Sequence, residues 1–424
     1  EVLVVADLIS YYAKEGPRLL APEKRALRVF RYRTSEVRYD PRGVVAVIGP
    51  WNFPLQLPLR DAVAAWLAGN AVVIKPSEVT PLSLLAAKEI WDETKLPVDL
   101  FGVVTGYGPT GAALIDAGVD FVAFTGSVET GKRVAAACGE RLIPCLMELG
   151  GKAPLLVCED ADLERAAQAI VLGGFANSGQ VCISVERVYA HRSVYDRLVE
   201  RVVALTLDLE QGDPAERHVD VGPMTFPRQL EIVEAHVADA LAKGARLRSG
   251  GRRGSAGDQF YEPTVLVDCH PECTVMTEEI FGPIVPIMPV DSDREAVQLA
   301  NDSPLGLNAY VFTEKSSRAR ALADQLQAGN VMVNDVLINA AMPEAPFGGI
   351  KQSGFGRAMG PEGLRAMCHV RHLSFERVKP PARHPLAHPY TEDKYRWILR
   401  GVQSLYDGGS GLAAKLARRV MGIG

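Results

Sequence analysis

Residues 44–75 read VVAVIGPWNFPLQLPLRDAVAAWLAGNAVVIK, and this stretch decides the fold. A β-branched run, Val44–Ile48, precedes a helical stretch, Gln56–Leu67, and a second apolar run follows at residues 71–74. A strand, a helix and another strand in this order are typical of a βαβ unit with parallel strands. The stretch therefore predicts an α/β protein built on a parallel sheet.

The same alternation continues along the chain. Helical stretches at residues 82–93 and 111–117 flank an apolar run at 102–105. Later apolar runs bounded by Gly or Pro are residues 121–124, 142–147, 154–158, 188–190, 284–289, 309–312 and 331–333. We expect these apolar runs to form the strands of two successive α/β layers. Residues 29–39 are instead polar, alternating and β-prone, which predicts an exposed ribbon that pairs with another element or subunit.

Composition excludes several classes of protein. The chain has 424 residues with 47% hydrophobic and 23% charged side chains, close to the averages for soluble globular proteins. The longest apolar stretches, residues 62–67 and 71–74, fall short of the roughly 20 residues that a spanning helix needs. The net charge of −5 comes without a long basic block, so nucleic acid is not an expected partner. Seven scattered cysteines indicate a reducing compartment, and we expect a cytoplasmic protein.

Two glycine-rich loops could each bind a dinucleotide phosphate. Residues 106–111, GYGPTG, match G-x-G-x-x-G after an apolar run and before a helical stretch. Residues 124–131, FTGSVETG, lie in the same context, and Ser127 would place a hydroxyl at the positive end of a helix. The pattern alone leaves both loops open.

Three polar residues are candidates for chemistry. Cys182 follows small and polar residues and is the best candidate for a thiolate, although a single cysteine is more often a small buried hydrophobe. Glu148 ends an apolar strand, where a carboxylate needs a partner or a task, unless it is a solvated edge residue. Asn52, in PWNFP, could stabilise an oxyanion or simply serve a turn.

Seven short motifs occur in a fixed order along the chain. They are residues 50–54 (PWNFP), 75–78 (KPSE), 124–131 (FTGSVETG), 148–151 (ELGG), 179–182 (GQVC), 278–283 (EEIFGP) and 346–349 (PFGG). Together they resemble the NAD(P)-dependent aldehyde dehydrogenase superfamily, from residue 1 to about residue 378. The resemblance implies a Rossmann-like cofactor domain, an α/β catalytic domain and a small β ribbon for oligomerisation.

The resemblance also implies a mechanism. Cys182 would attack the aldehyde carbonyl and form a thiohemiacetal. Asn52, together with the backbone N–H of Cys182, would bind the oxyanion. Glu148 would activate the water that hydrolyses the thioester left after hydride transfer. The product would be a carboxylic acid.

Cofactor residues are implied in the same way. Lys75 and Glu78 would hold the adenosine ribose, Ser127 the pyrophosphate and Glu279 the nicotinamide ribose. The remaining cofactor contacts implied are Trp51, Gly126, Gly131, Leu149 and Phe281. The loop at residues 106–111 then becomes a flanking turn. Because Glu78 can accept from a ribose hydroxyl but repels a 2′-phosphate, we expect NAD to be preferred and NADP tolerated.

The implied domains follow the family pattern. Residues 1–25 and 42–150 would form the NAD(P)-binding domain, whose N-terminal part we expect to lie upstream of Glu1, and residues 151–349 the catalytic domain. Residues 26–41 and 368–378 would form the strands of a homodimer or a dimer of dimers. Residues 379–424 would form a C-terminal tail. Its last stretch carries Leu412, Leu416, Val420 and Ile423 on one helical face, which favours docking on the protein over a membrane surface.

The resemblance also implies that four residues line the substrate tunnel: Phe53, Leu57, Arg60 and Phe347. An arginine in an apolar tunnel could bind the carboxylate of a semialdehyde substrate. It could instead pair with a protein carboxylate such as Asp61 or Glu344, and this second interpretation is the favoured one.

Three alternatives remain. An acylating enzyme would pass the thioester to coenzyme A, against which Glu148 argues. A catalytically inactive relative would bind NAD without turnover, against which the intact Asn52, Glu148 and Cys182 argue. A zinc site at Cys269, His270 and Cys273 lacks a second ligand pair at the usual spacing, so no metal is expected.

Overall fold

The computed structural model describes residues 1–378 and 387–406. The strands are β1 Glu23–Lys24, β2 Arg33–Pro41, β3 Val44–Ile48, β4 Ala71–Lys75, β5 Phe101–Val103, β6 Phe121–Thr125, β7 Cys145–Glu148, β8 Ala153–Val157, β9 Val185–His191, β10 Arg246–Ser249, β11 Thr264–Val267, β12 Ile284–Val290, β13 Leu305–Gly306, β14 Asn308–Phe312, β15 Asn330–Val333, β16 Ile350–Lys351, β17 Gly354–Phe355 and β18 Cys368–Glu376. The α-helices are α1 Val2–Leu19, α2 Gln56–Leu67, α3 Leu82–Asp92, α4 Gly108–Asp116, α5 Val128–Glu140, α6 Leu163–Phe175, α7 Arg192–Leu207, α8 Pro227–Ala242, α9 Thr274–Thr277, α10 Asp293–Asn301, α11 Ser316–Ala323, α12 Gly360–Ala366 and α13 Glu392–Tyr406.

The first large sheet has the strand order β17-β7-β6-β3-β4-β5. Its strands are parallel except β17, which pairs antiparallel with β7. The strands are apolar on both faces because helices cover the sheet, and Val45, Ile74 and Phe121 are buried. Since parallel strands end at one edge, the residues after β3, β4, β6 and β7 come together there.

The second large sheet has the order β10-β11-β12-β9-β8-β14-β15. All its pairs are parallel except β10 with β11. Leu155, Val188 and Tyr310 form part of its core. Cys182 lies three residues before β9, so the start of this central strand positions the thiol.

The chain divides into two compact units. Glu1–Ala21 and Tyr39–Val370 form one unit, which contains both large sheets. Pro22–Arg38 and Arg371–Gly424 form the other. The expected division of the larger unit into a cofactor domain and a catalytic domain near residue 150 stays a prediction, although strands β3–β7 belong to the first sheet and β8–β12 to the second.

The smaller unit accounts for the polar ribbon. β1, β2 and β18 form a three-stranded sheet, and Arg33 Nε donates to Ser374 Oγ across it at 2.8 Å. The sequence did not predict α13 within the C-terminal tail. The predicted helical face of Leu412, Leu416, Val420 and Ile423 lies outside the described residues. In residues 1–378 and 387–406, we find no helix with the length and apolarity needed to cross a membrane.

Candidate active site

A cavity of about 930 Å³ lies at the edge where the strands of the first sheet end. It is large enough for a dinucleotide and a small substrate. The expected site residues that line it are Trp51, Asn52, Leu57, Lys75, Glu78, Gly126, Ser127, Glu148, Leu149, Cys182, Glu279 and Phe281. The three candidates for chemistry, Asn52, Glu148 and Cys182, therefore share one cavity.

Not every expected residue lines this cavity. Gly131 packs on the cavity residue Leu149, since a Cβ on this glycine would lie 2.4 Å from Leu149 Cδ2. Phe53, Arg60 and Phe347 lie outside the cavity wall. Of the four expected tunnel residues, only Leu57 contributes to it.

Hydrogen bonds join the Asn52 loop to the loop that carries Cys182. Asn52 is nearly buried, and its Nδ2 donates to the carbonyl of Gln180 at 2.9 Å. Asn177 Nδ2 returns a bond to the carbonyl of Asn52 at 3.0 Å. Because Nδ2 carries two hydrogens, Asn52 keeps one donor beyond its bond to Gln180.

The backbone before Cys182 turns sharply. Asn177, Ser178 and Gly179 have φ values of 50°, 57° and 73°, all in the left-handed region. Only glycine fits at position 179, because a Cβ there would lie 2.1 Å from the carbonyl oxygen of Gly282. The turn holds Cys182 at the cavity wall.

The thiol of Cys182 is partly exposed to the cavity. Burial raises its pKa to about 12, and the nearby carboxyl groups of Glu148 and Glu279 act in the same direction. Cys182 is therefore a thiol at neutral pH and must lose its proton as it reacts.

Glu148 is the last residue of β7 and is only 3% exposed. Among the described residues, its Oε1 is the sole buried side-chain nitrogen or oxygen without a hydrogen-bond partner. Burial raises the pKa of Glu148 to about 8, while Arg60 lowers it and Asp61 raises it further. A carboxyl group with such a pKa can take up and release a proton near neutral pH.

A glycine and a serine open the end of β6 to an anion. A Cβ on Gly126 would lie 2.7 Å from the Phe124 ring, so the backbone stays bare at this point. Ser127 is the N-cap of α5, and its Oγ accepts from Thr130 N at 3.3 Å. The free N–H groups and the positive end of α5 suit a pyrophosphate. Gly108 and Gly111 of the other loop line the same cavity, so the assignment of that loop as a flanking turn stays a prediction.

Lys75 and Glu78 form a pair at the end of β4. Lys75 is buried, and its Nζ donates to Glu78 Oε2 at 3.2 Å and to the Pro76 carbonyl at 3.0 Å. The side chain of Glu78 is 41% exposed. The pair offers a carboxylate to a ribose hydroxyl at the cavity rim.

Aromatic rings form one wall of the cavity. The Trp51 ring lies 5.2 Å from Phe281 and 5.1 Å from Phe226, close to perpendicular to both. Sequence reasoning missed Phe226, Arg228 and Gln229, which line the cavity from the start of α8. The available signal was Pro227 at the first turn of a helix, which marks a helix start but no function.

The carboxyl group of Glu279 lies over the glycines of the ELGG motif. Its Oε1 accepts from Gly151 N at 2.9 Å, and a Cβ on Gly150 would lie 2.4 Å from its Oε2. Burial raises the pKa of Glu279 to about 8, and the charge of Glu186 adds to the rise.

Arg60 pairs with its neighbour in the chain. It is 4% exposed, and its Nε and Nη2 donate to the two oxygens of Asp61 at 3.1 and 3.4 Å. Its guanidinium carbon lies 5.7 Å from the centre of the Phe347 ring. Of the two protein partners considered for Arg60, the structure selects Asp61.

No group of three or more His, Cys, Asp and Glu side chains that could bind a metal occurs in the described part of the chain. Cys269 and Cys273 are buried in an apolar cluster.

Comparison with known proteins identifies the family. Residues 1–373 match the model of the aldehyde dehydrogenase family. The chain is 42% identical over 404 residues to the 4,4′-diapolycopene aldehyde oxidase of a Methylomonas species, covering 93% of this chain and 74% of that protein. It is 40% identical over 370 residues to a Mycolicibacterium smegmatis protein that carries the name of an NADP(+) succinate-semialdehyde dehydrogenase, covering 87% and 72%.

A solved structure agrees with these relatives. The NAD+ complex of an aldehyde dehydrogenase from Bacillus cereus matches with a TM-score of 0.85 and 35% identity, covering 89% of this chain and 76% of that chain. The predicted family and α/β fold are thus confirmed. The chain belongs to the aldehyde dehydrogenase family and is an oxidoreductase that acts on aldehydes with NAD(P).

Proposed function

We propose that this protein oxidises an aldehyde to the carboxylic acid, with Cys182 as the nucleophile and Glu148 as the base for hydrolysis. The observation that carries the proposal is the buried, unpartnered Oε1 of Glu148 in the cavity that also holds Cys182. A buried acceptor without a partner costs stability, so its presence needs a functional reason.

The first half of the reaction forms a carbon–sulfur bond. Cys182 passes its proton to water or to the carboxylate form of Glu148, and its sulfur adds to the aldehyde carbon, which turns the carbonyl oxygen into an oxyanion. The free hydrogen on Asn52 Nδ2 and the backbone N–H of Cys182 stabilise that charge. NAD(P)+, when bound in the cleft, supplies the hydride acceptor, and the acyl group remains on Cys182 as a thioester.

The second half releases the acid. Water attacks the thioester carbon while Glu148 takes its proton, and collapse of the tetrahedral intermediate expels the Cys182 sulfur. The proton held on Glu148 can then return to the sulfur or leave to solvent. With a pKa of about 8, Glu148 keeps both protonation states accessible near neutral pH.

The residues of the cleft fit the dinucleotide. Gly126 leaves backbone exposed at the N-terminus of α5 for the pyrophosphate, and Glu78 and Glu279 offer carboxyl groups for the two riboses. Glu78 supports a preference for NAD, because its charge repels a 2′-phosphate, and Lys75 offsets part of the repulsion. The NADP(+) in the name of one relative agrees with tolerance of NADP.

We further propose a neutral aldehyde as substrate. Asp61 occupies two donors of the Arg60 guanidinium, which leaves this arginine a poor receptor for a substrate carboxylate. One relative is named for 4,4′-diapolycopene aldehyde and another for succinate semialdehyde, and the pairing of Arg60 with Asp61 favours the uncharged kind of substrate here.

The sheet of β1, β2 and β18 supports assembly into a homodimer or a dimer of dimers. β18 carries exposed apolar residues, with Val370 68% and Phe375 51% exposed. Exposed strands of this kind need a cover, and a second copy of the chain would supply it.

Burst kinetics test the mechanism. Glu148→Gln should release about one NAD(P)H per active site quickly and then turn over slowly, because acylation survives and hydrolysis does not. Equal loss of both phases would refute the assignment of Glu148. Formation of an acyl-CoA on addition of coenzyme A, faster than acid release, would instead support the acylating alternative.

A further inference from the structure

The turn that carries Glu279 and Phe281 is held by a buried carboxylate outside the cavity. Glu186 lies in β9, four residues after Cys182, and is 2% exposed. Its Oε1 accepts from Phe281 N at 2.9 Å, and Ile280 N donates to both of its oxygens at 3.1 and 3.0 Å. Two consecutive backbone amides therefore bind one carboxylate.

Phe281 needs such support. Its φ is +51°, a left-handed conformation that is strained for a residue with a bulky side chain. This conformation turns the chain between Glu279 and Phe281. As a result, the Glu279 carboxyl group bonds to Gly151 and the Phe281 ring packs against Trp51. Without an acceptor the two amides would be buried and unpaired, so the turn would relax to another conformation.

A lysine completes the support. Lys152 is 2% exposed, and its Nζ donates to Glu186 Oε2 at 2.9 Å. The preceding residue, Gly151, donates its N–H to Glu279 Oε1. Glu279, at one end of the turn, is thus bonded directly to Gly151. The amides of Ile280 and Phe281, at the other end, are linked through Glu186 to Lys152, the next residue in the segment that joins β7 to β8.

The turn also touches the nucleophile loop. Gly179 packs directly on the carbonyl of Gly282, and Gln229 Nε2 donates to the carbonyl of Ile280 at 2.9 Å. Neither contact can replace Glu186, because neither supplies an acceptor for the amides of Ile280 and Phe281.

We infer that Glu186, held in place by Lys152, is a positioning residue for the cofactor, which it serves by fixing Glu279 and Phe281 in the geometry that binds the nicotinamide riboside. The inference rests on the proposed role of Glu279. Glu186 does not reach the cavity itself. Its main effect is therefore on cofactor binding, and a smaller effect reaches the Cys182 loop through the contact of Gly282 with Gly179.

Direct binding of NADH tests the inference. Glu186→Gln keeps the size of the side chain but removes the charged acceptor, and about tenfold or weaker NADH affinity is expected from the lost charge-assisted bonds. The KM for NAD should rise by a similar factor, whereas kcat at saturating NAD should fall less. Glu186→Asp keeps the charge opposite Lys152 but is too short to reach both amides, so a smaller loss is expected.

Asp160→Asn is the matched control. Asp160 follows the neighbouring strand β8 and accepts from Thr313 Oγ1 at 2.9 Å, far in the chain from the turn. When Asp160→Asn and Glu186→Gln are compared at the same loss of thermal stability, Asp160→Asn should change NADH affinity less than twofold.

The outcomes separate the two proposals. Wild-type NADH affinity in folded Glu186→Gln, with weakened affinity in Glu279→Gln, overturns the positioning role alone. Wild-type affinity in Glu279→Gln overturns the ribose assignment and this inference with it. If Glu186→Gln does not fold, the NADH affinity of Glu186→Asp is compared with that of the wild type instead, and an unchanged affinity again overturns the positioning role.

Discussion

Replacement of Glu148 by Gln should make the protein more stable as it makes the enzyme slower. The carboxyl group is buried, its Oε1 has no partner, and burial raises its pKa from 4.5 to about 8. An acid whose pKa is higher in the folded state binds its proton more tightly there than in the unfolded chain. Ionisation of Glu148 therefore costs stability, and an uncharged amide avoids the cost.

The magnitude follows from the two pKa values. Between pH 4.5 and pH 8 the unfolded chain has lost this proton and the folded protein retains it, so stability falls as pH rises through this window. At about 1.4 kcal/mol per pKa unit, the cost is on the order of 3 kcal/mol at about pH 7 and approaches 5 kcal/mol above about pH 8. With an unfolding entropy of about 2.1 cal/mol/K per residue, roughly 0.9 kcal/mol/K for the chain, Glu148→Gln should raise Tm by about 3 °C at about pH 7.

Thermal unfolding at two pH values checks this. The gain in Tm of Glu148→Gln over the wild type should be below about 1 °C at about pH 5 and about 5 °C at about pH 8. Glu164→Gln is the control, because Glu164 is exposed, pairs with Arg201 and has a pKa lowered by that pair. A gain that is the same at both pH values, or a loss at both, would refute the reasoning.

Four further outcomes are expected. Cys182→Ala should abolish oxidation, measured by NADH absorbance, and leave NADH binding within about twofold. The kcat for acid formation should rise with pH through about 8 as Glu148 loses its proton, and Glu148→Gln should remove this rise. Glu78→Gln should reduce the kcat/KM preference for NAD over NADP by about tenfold, because it removes the charge that repels a 2′-phosphate. Arg60→Ala should affect a semialdehyde and an uncharged aldehyde of the same length equally, since Arg60 pairs with Asp61.

Each of these expectations has a contrary result. Substantial turnover by Cys182→Ala would refute the assignment of Cys182 as the nucleophile. A kcat that does not change with pH around pH 8 would refute the assignment of Glu148 as the base. A tenfold preference of the wild type for NADP would contradict the assigned role of Glu78. A selective rise in KM for the semialdehyde in Arg60→Ala would show that Arg60 binds a substrate carboxylate.

Apolar periodicity was enough to predict the large sheets, but charged residues shifted their boundaries. β9 begins at Val185 rather than at residue 188, because Glu186 and Arg187 are buried in it despite their charges. Arg187 donates to the carbonyls of Lys152, Leu299 and Ala300, and no local pattern reveals such distant acceptors. At β7 the error is opposite, because Leu142 is exposed with a φ of +56° in the turn after α5, and the strand starts only at Cys145.

The candidate site was predictable where it follows the strands. Asn52, Lys75, Ser127 and Glu148 come from the ends of four parallel strands, and the order of the motifs along the chain fixes which strands these are. Phe226 was not predictable, since it reaches the cavity from a helix start with no chemical signature. The sequence also left the partner of Arg60 undecided, because adjacent residues on a helix do not normally face each other, yet Arg60 Nε donates to Asp61 Oδ1 at 3.1 Å.

Electrostatics point to the same cavity without any help from motifs. Cys182, Glu148 and Glu279 all line it, and burial raises the pKa of each. Three acidic groups that are costly to ionise would destabilise a purely structural pocket, because each loses hydration without gaining a full set of partners. Their roles differ in the proposed reaction, since Cys182 must ionise to attack, Glu148 must accept a proton, and Glu279 needs only to hold a ribose. The carboxyl group that has an N–H partner, Glu279, is the one to which we assign a binding role, whereas the one left without a partner, Glu148, has water as its expected ligand.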